Sequence, residues 1–414
     1  MTSRRIKALL ILSLVIVSGV ATATVAAARP SPPAKLGDHF TPADIDRSRR
    51  YRGPVYALAF GALAVAIVAG AGLGLVPGVR ALGRWSSSLT GARWPLQALL
   101  LAAVVTAGVS LATLPFGYGR YLHDRHWGLS TQSAAGYFSD WAKGAGFELV
   151  LGAVTALAFV GIVRALPRSW PAAAAGFGVG LTVLLVYVFP LIYEPLFNTF
   201  TPVAPDVRAR VLAVADRAGV RVGDVLVADA SKRTTRQNAY VSGLGPTKRV
   251  VLYDTLLERS TPEQVDLVVA HELSHVKHRD VLKGTVLSCA GAVLAVLFIW
   301  RLLASSAVLG WIGAAGPGDP RALPFLAFVL AAGSLATLPA MNAYSRHVEA
   351  AADRSAIEIT QDPYTAIQVE ISLARSNLSD LDPNPAIAAV FFTHPSTLER
   401  IQIALDWQAE HSAP

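Results

Sequence analysis

Charged residues and cysteine are both scarce in this sequence. Asp, Glu, Lys and Arg make up 15% of its 414 residues, whereas a soluble globular domain has about 25%. The single cysteine, Cys289, excludes an intramolecular disulfide and a metal site built from cysteines. Apolar residues replace the missing charges, because 53% of the chain is hydrophobic. This composition is typical of a membrane protein. The net charge of +8 then needs no nucleic-acid partner, since Lys and Arg collect at the cytoplasmic face of the bilayer.

Seven apolar runs are long enough, or nearly so, to cross a bilayer core of about 30 Å. They cover residues 8–28, 54–79, 95–116, 147–166, 171–193, 284–304 and 322–342. The first run could instead be a signal peptide, because Arg4, Arg5 and Lys7 precede it and VAAA ends it. Its apolar stretch exceeds the roughly 7–15 residues of such a peptide, so we expect a retained helix. The runs predict a mostly α-helical, polytopic membrane protein of about seven transmembrane helices.

These runs divide the chain into four parts. Five spans and their loops occupy residues 1–193, a polar region covers 194–283, spans six and seven occupy 284–343, and a polar helical tail covers 344–414. In the polar region we expect a helix near 204–219 and strands in VGDVLVAD, NAYVSG and KRVVLYDTLL. The sequence therefore predicts a small α+β domain between spans five and six, completed by the tail.

The loops 29–53 and 117–146, the polar region and the tail are separated by even numbers of spans, so we expect them on one side of the membrane. The two loops are rich in Lys and Arg, which predicts the cytoplasmic side. The charges that precede the first run argue for the opposite orientation. Arg outnumbers Lys and Ala is abundant, as in proteins from GC-rich bacterial genomes. We therefore expect the plasma membrane of a bacterium.

The stretch TPEQVDLVVAHELSHVKHRD, residues 261–280, carries the strongest chemical signal. It predicts a single helix, because Thr261 and Gln264 form a capping-box pattern and Pro262 suits the first helical position. Two histidines four residues apart then leave the same face of that helix.

This histidine pair is His271 and His275, and its spacing lets two neutral imidazoles bind one Zn²⁺. Glu272 lies beside the metal position, where it can take a proton from the attacking water, as in a zinc metalloprotease. Two surface histidines on a polar helix face are the plainer alternative. The choice depends on a third protein ligand elsewhere in the chain.

The best candidate for that ligand is Glu349, in NAYSRHVEAAAD at the end of the seventh apolar run. Glu349 can complete a site of two histidines and one glutamate with one position open for water. Asp353 shares its helix face four residues later and can orient an imidazole from behind. His347 and Glu358 are competing ligands on spacing grounds.

HELSH followed by SRHVEAAAD resembles the type I CAAX prenyl protease family, integral-membrane zinc metallopeptidases of the gluzincin type with HExxH and ExxxD motifs. Other segments resemble family segments in family order: FTPADIDRSRRYR, LPFGYGRYLHDRHWGLS, PLIYEPLFNTFTPV, DASKRTTRQNAYVSGLGPTKRVVLYDTLL and FFTHPSTLERI. The resemblance covers most of the chain from about residue 40.

This resemblance implies a ring of seven membrane helices around a water-filled chamber, with a zincin-type site facing the interior. His271, His275 and Glu349 match the zinc ligands of the family, with one ion per chain, and Glu272 matches the catalytic base. Asp353 matches a position often assigned as a proton donor.

The same resemblance implies how substrate is bound. His394 and Arg400, in HPSTLER, match residues thought to contact the substrate or its developing oxyanion. Asn238, Ala239 and Tyr240 match the edge strand along which the substrate peptide lies. A peptide added as a strand gains main-chain hydrogen bonds without selection of its side chains.

We therefore expect a membrane-embedded zinc metalloendopeptidase that hydrolyses extended or membrane-tethered polypeptides. In a bacterium, quality control or processing of membrane proteins is a more natural task than the trimming of prenylated termini. Two other classes fit part of the pattern. A transporter would also have many spans with polar residues in a cavity, and a scaffold could bind zinc without cleaving anything.

Overall fold

The computed structural model describes residues 33–243 and 248–412, and these residues are mostly helical. The first apolar run, 8–28, lies outside the described residues, so its interpretation as a retained helix stays a prediction. The helices are α1 Leu36–His39, α2 Pro42–Gly74, α3 Gly78–Thr90, α4 Trp94–His126, α5 Ala134–Ala165, α6 Trp170–Tyr187, α7 Phe189–Phe197, α8 Pro205–Ala218, α9 Asp254–Arg259, α10 Pro262–Lys277, α11 Asp280–Leu303, α12 Ser306–Ile312, α13 Leu323–Thr360, α14 Pro363–Ser376, α15 Pro385–Phe391 and α16 Thr397–His411. The strands are β1 Phe200–Pro202, β2 Asp224–Ala228, β3 Ala239–Ser242 and β4 Arg249–Tyr253.

Six helical segments of the described chain are long and apolar enough to cross a membrane. They are Pro42–Gly74, Trp94–His126, Ala134–Ala165, Trp170–Tyr187, Asp280–Leu303 and Pro320–Thr360. They match the second to seventh apolar runs and confirm the predicted mostly α-helical membrane fold. In the most apolar stretches of α2 and α4 only 6% of the residues are buried within the chain. Most of their apolar side chains therefore face lipid or the interior of the bundle.

The strands form one small sheet in the order β1–β2–β4–β3. β2 and β4 pair in parallel, whereas β3 pairs antiparallel with β4 and places Tyr240 opposite Val251. Val250, Val251 and Leu252 of β4 are all fully buried. Burial on both faces explains why this strand is a continuous apolar run in the sequence. β1, which the sequence patterns did not predict, forms one edge and β3 forms the other.

The largest apolar core joins this sheet to α8, α10, α14 and α16. Leu273 of α10, Ile357 of α13 and Ile401 of α16 meet in it and have exposed fractions of 2% or less. Burial of a side chain of this size contributes about 1.5–3 kcal/mol. The core therefore fixes the tail helices against α10, as completion of the domain by the tail requires.

Segments distant in sequence meet at one end of the membrane bundle. The hydroxyl of Ser48 donates to the carbonyl of Ser379 at 2.6 Å. Arg236, which precedes β3, pairs with Asp124 of α4 at 3.2 Å. The two Arg-rich loops, the polar region and the tail thus lie together, in agreement with the counting of spans.

The predicted helix over 261–280 is wrong at its C-terminal end. α10 ends at Lys277, and α11 begins at Asp280. Between them Arg279 has a φ of 57°, in the left-handed region, which costs a residue with a Cβ about 1–2 kcal/mol. This turn separates the helix of the polar region from the sixth span. The strand predicted for KRVVLYDTLL also ends early, because α9 begins at Asp254.

Candidate metal centre

α10 begins with the predicted capping box. The backbone N–H of Thr261 donates to Gln264 Oε1 at 3.0 Å, and the backbone N–H of Gln264 donates to Thr261 Oγ1 at 3.4 Å. Val269 and Leu273 are fully buried in the apolar core. Because the core fixes the rotation of α10 about its axis, the opposite face, with the two histidines, points towards α13.

Three potential ligand atoms converge between α10 and α13. His271 Nε2 lies 3.3 Å from His275 Nε2 and 3.2 Å from Glu349 Oε2, and His275 Nε2 lies 3.7 Å from the same oxygen. Ligands bound to one tetrahedral zinc at about 2.0–2.1 Å lie about 3.3 Å from one another. All three atoms carry lone pairs, so their convergence is unfavourable without a cation or a proton among them. The donor set therefore fits one metal ion.

The charge around His271 also favours a cation. Burial lowers the pKa of His271, but the carboxylates of Asp353 and Glu349 outweigh this effect. Without a metal ion they raise that pKa to about 10. The two carboxylates that favour a proton at this position also favour a divalent ion.

α13 brings Glu349 to the histidine pair. The two competing ligands on the same helix, His347 and Glu358, lie elsewhere. His347 is exposed, and Glu358 lies 3.5 Å from Arg354 on the outer side of α13. Within residues 33–243 and 248–412, the only group of three residues with atoms close enough to share a metal ion contains Glu349 and the two histidines.

Each histidine has a carboxylate beside its second ring nitrogen. His271 Nδ1 lies 2.9 Å from Asp353 Oδ1, and His275 Nδ1 lies 3.1 Å from Asp280 Oδ2. The negative charge of a carboxylate near Nδ1 favours a proton on that nitrogen and leaves the Nε2 lone pair for a metal. Asp353 lies close enough to His271 for the predicted orienting role, which stays a prediction. Asp280 was missed because five residues along a continuous helix would put it on another face, whereas the turn at Arg279 returns it to His275.

Arg400 of α16 lies behind Asp353, and Glu370 of α14 lies behind Arg400. Arg400 Nε donates to Asp353 Oδ2 at 2.8 Å and Arg400 Nη2 to Asp353 Oδ1 at 2.5 Å, while Nη1 lies 2.9 Å from Glu370 Oε1. Burial lowers the pKa of Arg400, but the charges of the two carboxylates outweigh it and raise that pKa above its usual value. Burial raises the pKa of Glu370 to about 7 against the opposing effect of Arg400. No sequence pattern singled out Glu370.

A cavity of about 120 Å³ opens beside His271. Glu272, Asn238 and His394 line it together with apolar residues such as Leu267. Burial raises the pKa of Glu272 above the usual 4.5, although the histidine charges oppose this. A carboxylate with a raised pKa is the better proton acceptor, which suits a general base next to the metal position.

His394 reaches the site from the loop between α15 and α16. Its Nε2 lies 3.2 Å from Glu349 Oε2, and its Nδ1 lies 2.9 Å from the hydroxyl of Thr393. Arg346 of α13 donates to the carbonyl of Phe392 at 2.8 Å and so positions the chain just before His394. Burial lowers the pKa of His394, which favours a neutral imidazole.

Two family models match adjoining parts of the chain. Residues 203–408 match peptidase family M48, and residues 22–199 match the N-terminal part of CAAX prenyl proteases, described as five membrane helices. The chain is 30% identical over 349 residues to the uncharacterized metalloprotease YhfN of Bacillus subtilis, with 82% of this chain and 80% of the relative covered. The chain belongs to peptidase family M48.

Other relatives of this M48 peptidase agree with the assignment. CAAX prenyl protease 1 of Saccharomyces cerevisiae is 25% identical over 332 residues, covering 76% of this chain and 73% of the yeast protein. The crystal structure of Ste24p from S. mikatae superposes with a TM-score of 0.79 at 20% identity and covers 96% of each chain, which shows a common fold. The M48 peptidase is thus a membrane metalloprotease that hydrolyses peptide bonds, and the transporter and scaffold alternatives fall away.

Of the three residues of the M48 peptidase predicted to lie along the substrate, Ala239 and Tyr240 begin β3 and Asn238 immediately precedes it. Asn238 lines the cavity, and its carbonyl accepts from the backbone N–H of Tyr253 at 3.0 Å. Ala239 is buried against the core, and the hydroxyl of Tyr240 donates to Glu194 Oε2 at 3.2 Å. β3 is an edge of the sheet, and among the described residues no strand pairs with its outer side. That side is therefore available to pair with a further strand.

Glu194, in α7, is a third residue that the sequence patterns missed, after Asp280 and Glu370. Besides Tyr240, it accepts from the hydroxyl of Ser242 at 3.1 Å and from Arg249 Nη2 at 3.0 Å. Tyr240 and Ser242 lie on one face of β3 because side chains alternate along a strand. Glu194 thus ties that face to the segment that follows the fifth span.

Proposed function

We propose that this M48 metalloprotease is a zinc-dependent endopeptidase with one Zn²⁺ per chain, which cleaves extended or membrane-tethered polypeptide segments. The convergence of His271 Nε2, His275 Nε2 and Glu349 Oε2 at the spacing of tetrahedral ligands carries the proposal. Two imidazoles and one carboxylate with an open position are the donor set of catalytic zinc.

The residues around that position divide the chemistry. Zinc, when bound, supplies Lewis acidity for water and for the scissile carbonyl. Glu272 takes a proton from the attacking water and delivers it to the leaving amine. His394 donates from Nε2 to the oxyanion that develops on the former carbonyl oxygen, because the Glu349 carboxylate 3.2 Å from Nε2 favours a proton on that nitrogen.

Asp353 and Arg400 support the site from behind. Both oxygens of Asp353 contact Arg400, and one also faces His271. We therefore assign Asp353 the task of orienting His271 in preference to that of a proton donor. Three guanidinium nitrogens of Arg400 face carboxylates, so we assign Arg400 a supporting role in preference to the substrate contact predicted from the resemblance.

Substrate lies along Asn238–Tyr240 as an added strand. Its main chain pairs with the free edge of β3, and one of its side chains enters the cavity beside the metal position. This mode accepts many sequences but requires an extended chain. We propose that the enzyme works in a bacterial plasma membrane with the site on the cytoplasmic side, in quality control or processing of membrane proteins.

One peptide sequence presented in three ways tests the proposal: free in solution, attached to a lipid anchor, and placed in a loop of a stably folded protein. We expect cleavage of the first two forms and none of the third. Proline in the bound stretch should also block cleavage by removing a main-chain donor. Glu272→Gln is the matched control, since it should bind zinc but cleave at least about 100-fold more slowly. Cleavage of the folded form at the rate of the free peptide contradicts binding as an added strand.

A further inference from the structure

Glu370 is a buried carboxylate that no catalytic step requires. It lies in α14 between Val369 and Ile371, which are both buried, and 11% of its side chain is exposed. Burial of a charge is unfavourable unless a partner compensates it. The partner here is Arg400, at 2.9 Å from Glu370 Oε1.

Arg400 is held from two sides. Nε and Nη2 contact the two oxygens of Asp353, while Nη1 contacts Glu370. The planar guanidinium is thereby fixed both in position and in rotation. Asp353 is fixed in turn, and its Oδ1 lies 2.9 Å from His271 Nδ1.

We infer that Glu370 is a positioning residue for the metal centre, acting through Arg400 and Asp353 on the ring orientation of His271. The inference rests on the proposed zinc function and names a residue of this chain outside the metal-binding motifs. Replacement of the Glu370 carboxylate by a neutral amide weakens the contact at Nη1, so that Arg400 and Asp353 can rotate and His271 Nε2 no longer points steadily at the metal position. Groups that orient a ligand in this way typically change metal affinity by about 10–100-fold.

The test compares Glu370→Gln with the wild type and with Ile371→Val. Ile371 is buried beside Glu370 in the same helix but does not line the cavity, so its substitution controls for loss of packing. The measurements on the full-length purified protein are the zinc dissociation constant by chelator competition, the melting temperature without zinc, and kcat and KM. We expect Glu370→Gln to weaken zinc binding by about 10-fold and to lower kcat with KM within about twofold.

A double substitution tests whether the effect runs through Arg400. Arg400→Lys keeps the charge but replaces the planar fork that contacts both carboxylates with a flexible point charge. In that background Glu370→Gln should have no further effect on zinc affinity. A full additional loss in the double variant overturns the route through Arg400.

The inference is also overturned if Glu370→Gln binds zinc like the wild type while its melting temperature falls as in Ile371→Val, because Glu370 is then structural only. If the Gln variant does not accumulate, Glu370→Asp replaces it: the shorter carboxylate should weaken zinc binding about threefold, and unchanged binding counts against the inference. Failure of the proposed function looks different. In that case His271→Ala would bind zinc as tightly as the wild type.

Discussion

The two histidines of the metal centre have the same kind of support in different surroundings. Asp353 behind His271 and Asp280 behind His275 are similarly buried, with 9% and 11% of their side chains exposed. Their cations differ. Asp353 is bound by Arg400, which is 18% exposed and makes two contacts with it, whereas Asp280 has a single contact of 3.2 Å with Lys283, which is 57% exposed.

Tertiary packing holds the carboxylate beside His271 in place, whereas residues close in sequence hold the carboxylate beside His275. The His271 side needs α10, α13, α14 and α16 to be packed together before its charges meet. The His275 side needs only the turn at Arg279 and the first turn of α11. Removal of one member of a buried charge network costs about 3–5 kcal/mol, and an exposed pair contributes about 0–1 kcal/mol. The two sides should therefore respond very differently to substitution.

The largest effect should be the same on both sides, because both histidines are proposed ligands. His271→Ala, His275→Ala and Glu349→Ala should each lose zinc and all measurable proteolysis, since three protein atoms hold the ion. Metal analysis of the purified variants checks this. Zinc at full occupancy in Glu349→Ala would transfer the role of third ligand to another residue, such as His347 or Glu358.

The supporting carboxylates should reveal the difference. Asp353→Asn should weaken zinc binding by up to about 100-fold and lower the free energy of unfolding by about 3 kcal/mol, because Arg400 keeps its charge in the buried network. Asp280→Asn should weaken zinc binding by about 10-fold and change the free energy of unfolding by less than about 1 kcal/mol. Chelator competition and denaturant unfolding measure the two quantities. Equal losses of stability would mean that the two sides are equivalent.

The pH dependence of kcat/KM should follow the protonation of Glu272, the proposed general base. Burial raises the pKa of Glu272 and lowers that of His394. As pH falls, Glu272 takes up a proton and can no longer act as the base, so kcat/KM should decline at a pH above the usual 4.5 of a glutamate. His394→Gln should lower the rate and leave the position of this acidic limb unchanged. A limb that moves in His394→Gln belongs to the histidine.

The smallest effect should come from the exposed cation. Lys283→Ala should change the free energy of unfolding by less than about 1 kcal/mol, because its contact with Asp280 is exposed and screened by salt. Zinc affinity should stay within about twofold of the wild type. A loss as large as that in Asp280→Asn would show that Lys283 is part of the support.

Much of the site could be predicted from residues close together in sequence. Spacing four residues apart on a helix suffices to bring His271 beside His275, and the capping box of α10 follows from Thr261 and Gln264. The six described spans follow from apolar length. The partner helix with Glu349 lies 78 residues from His271. Its choice over the competitors needed the resemblance, because spacing alone left them open.

The parts that could not be predicted depend on backbone turns and on packing. Asp280 reaches His275 because Arg279 takes a left-handed conformation, and no local pattern marks that residue. Glu370 meets Arg400 only when α14 packs on α16. Glu194 meets β3 through tertiary contacts of α7 with Tyr240 and Ser242, and its surroundings in sequence are apolar.

The contacts of Glu194 with β3 affect both the orientation of that strand and its distance from the membrane helices. α7 follows the fifth span directly, so the contacts of Glu194 with Tyr240 and Ser242 would set the depth of the proposed substrate strand relative to the bilayer. A polypeptide held in the membrane must then extend by a set number of residues before its chain reaches the metal. The enzyme should therefore prefer one spacing between the membrane anchor of a substrate and its scissile bond. Tethered substrates in which the scissile bond is moved residue by residue test this. Glu194→Gln should broaden the range of spacings that are cleaved.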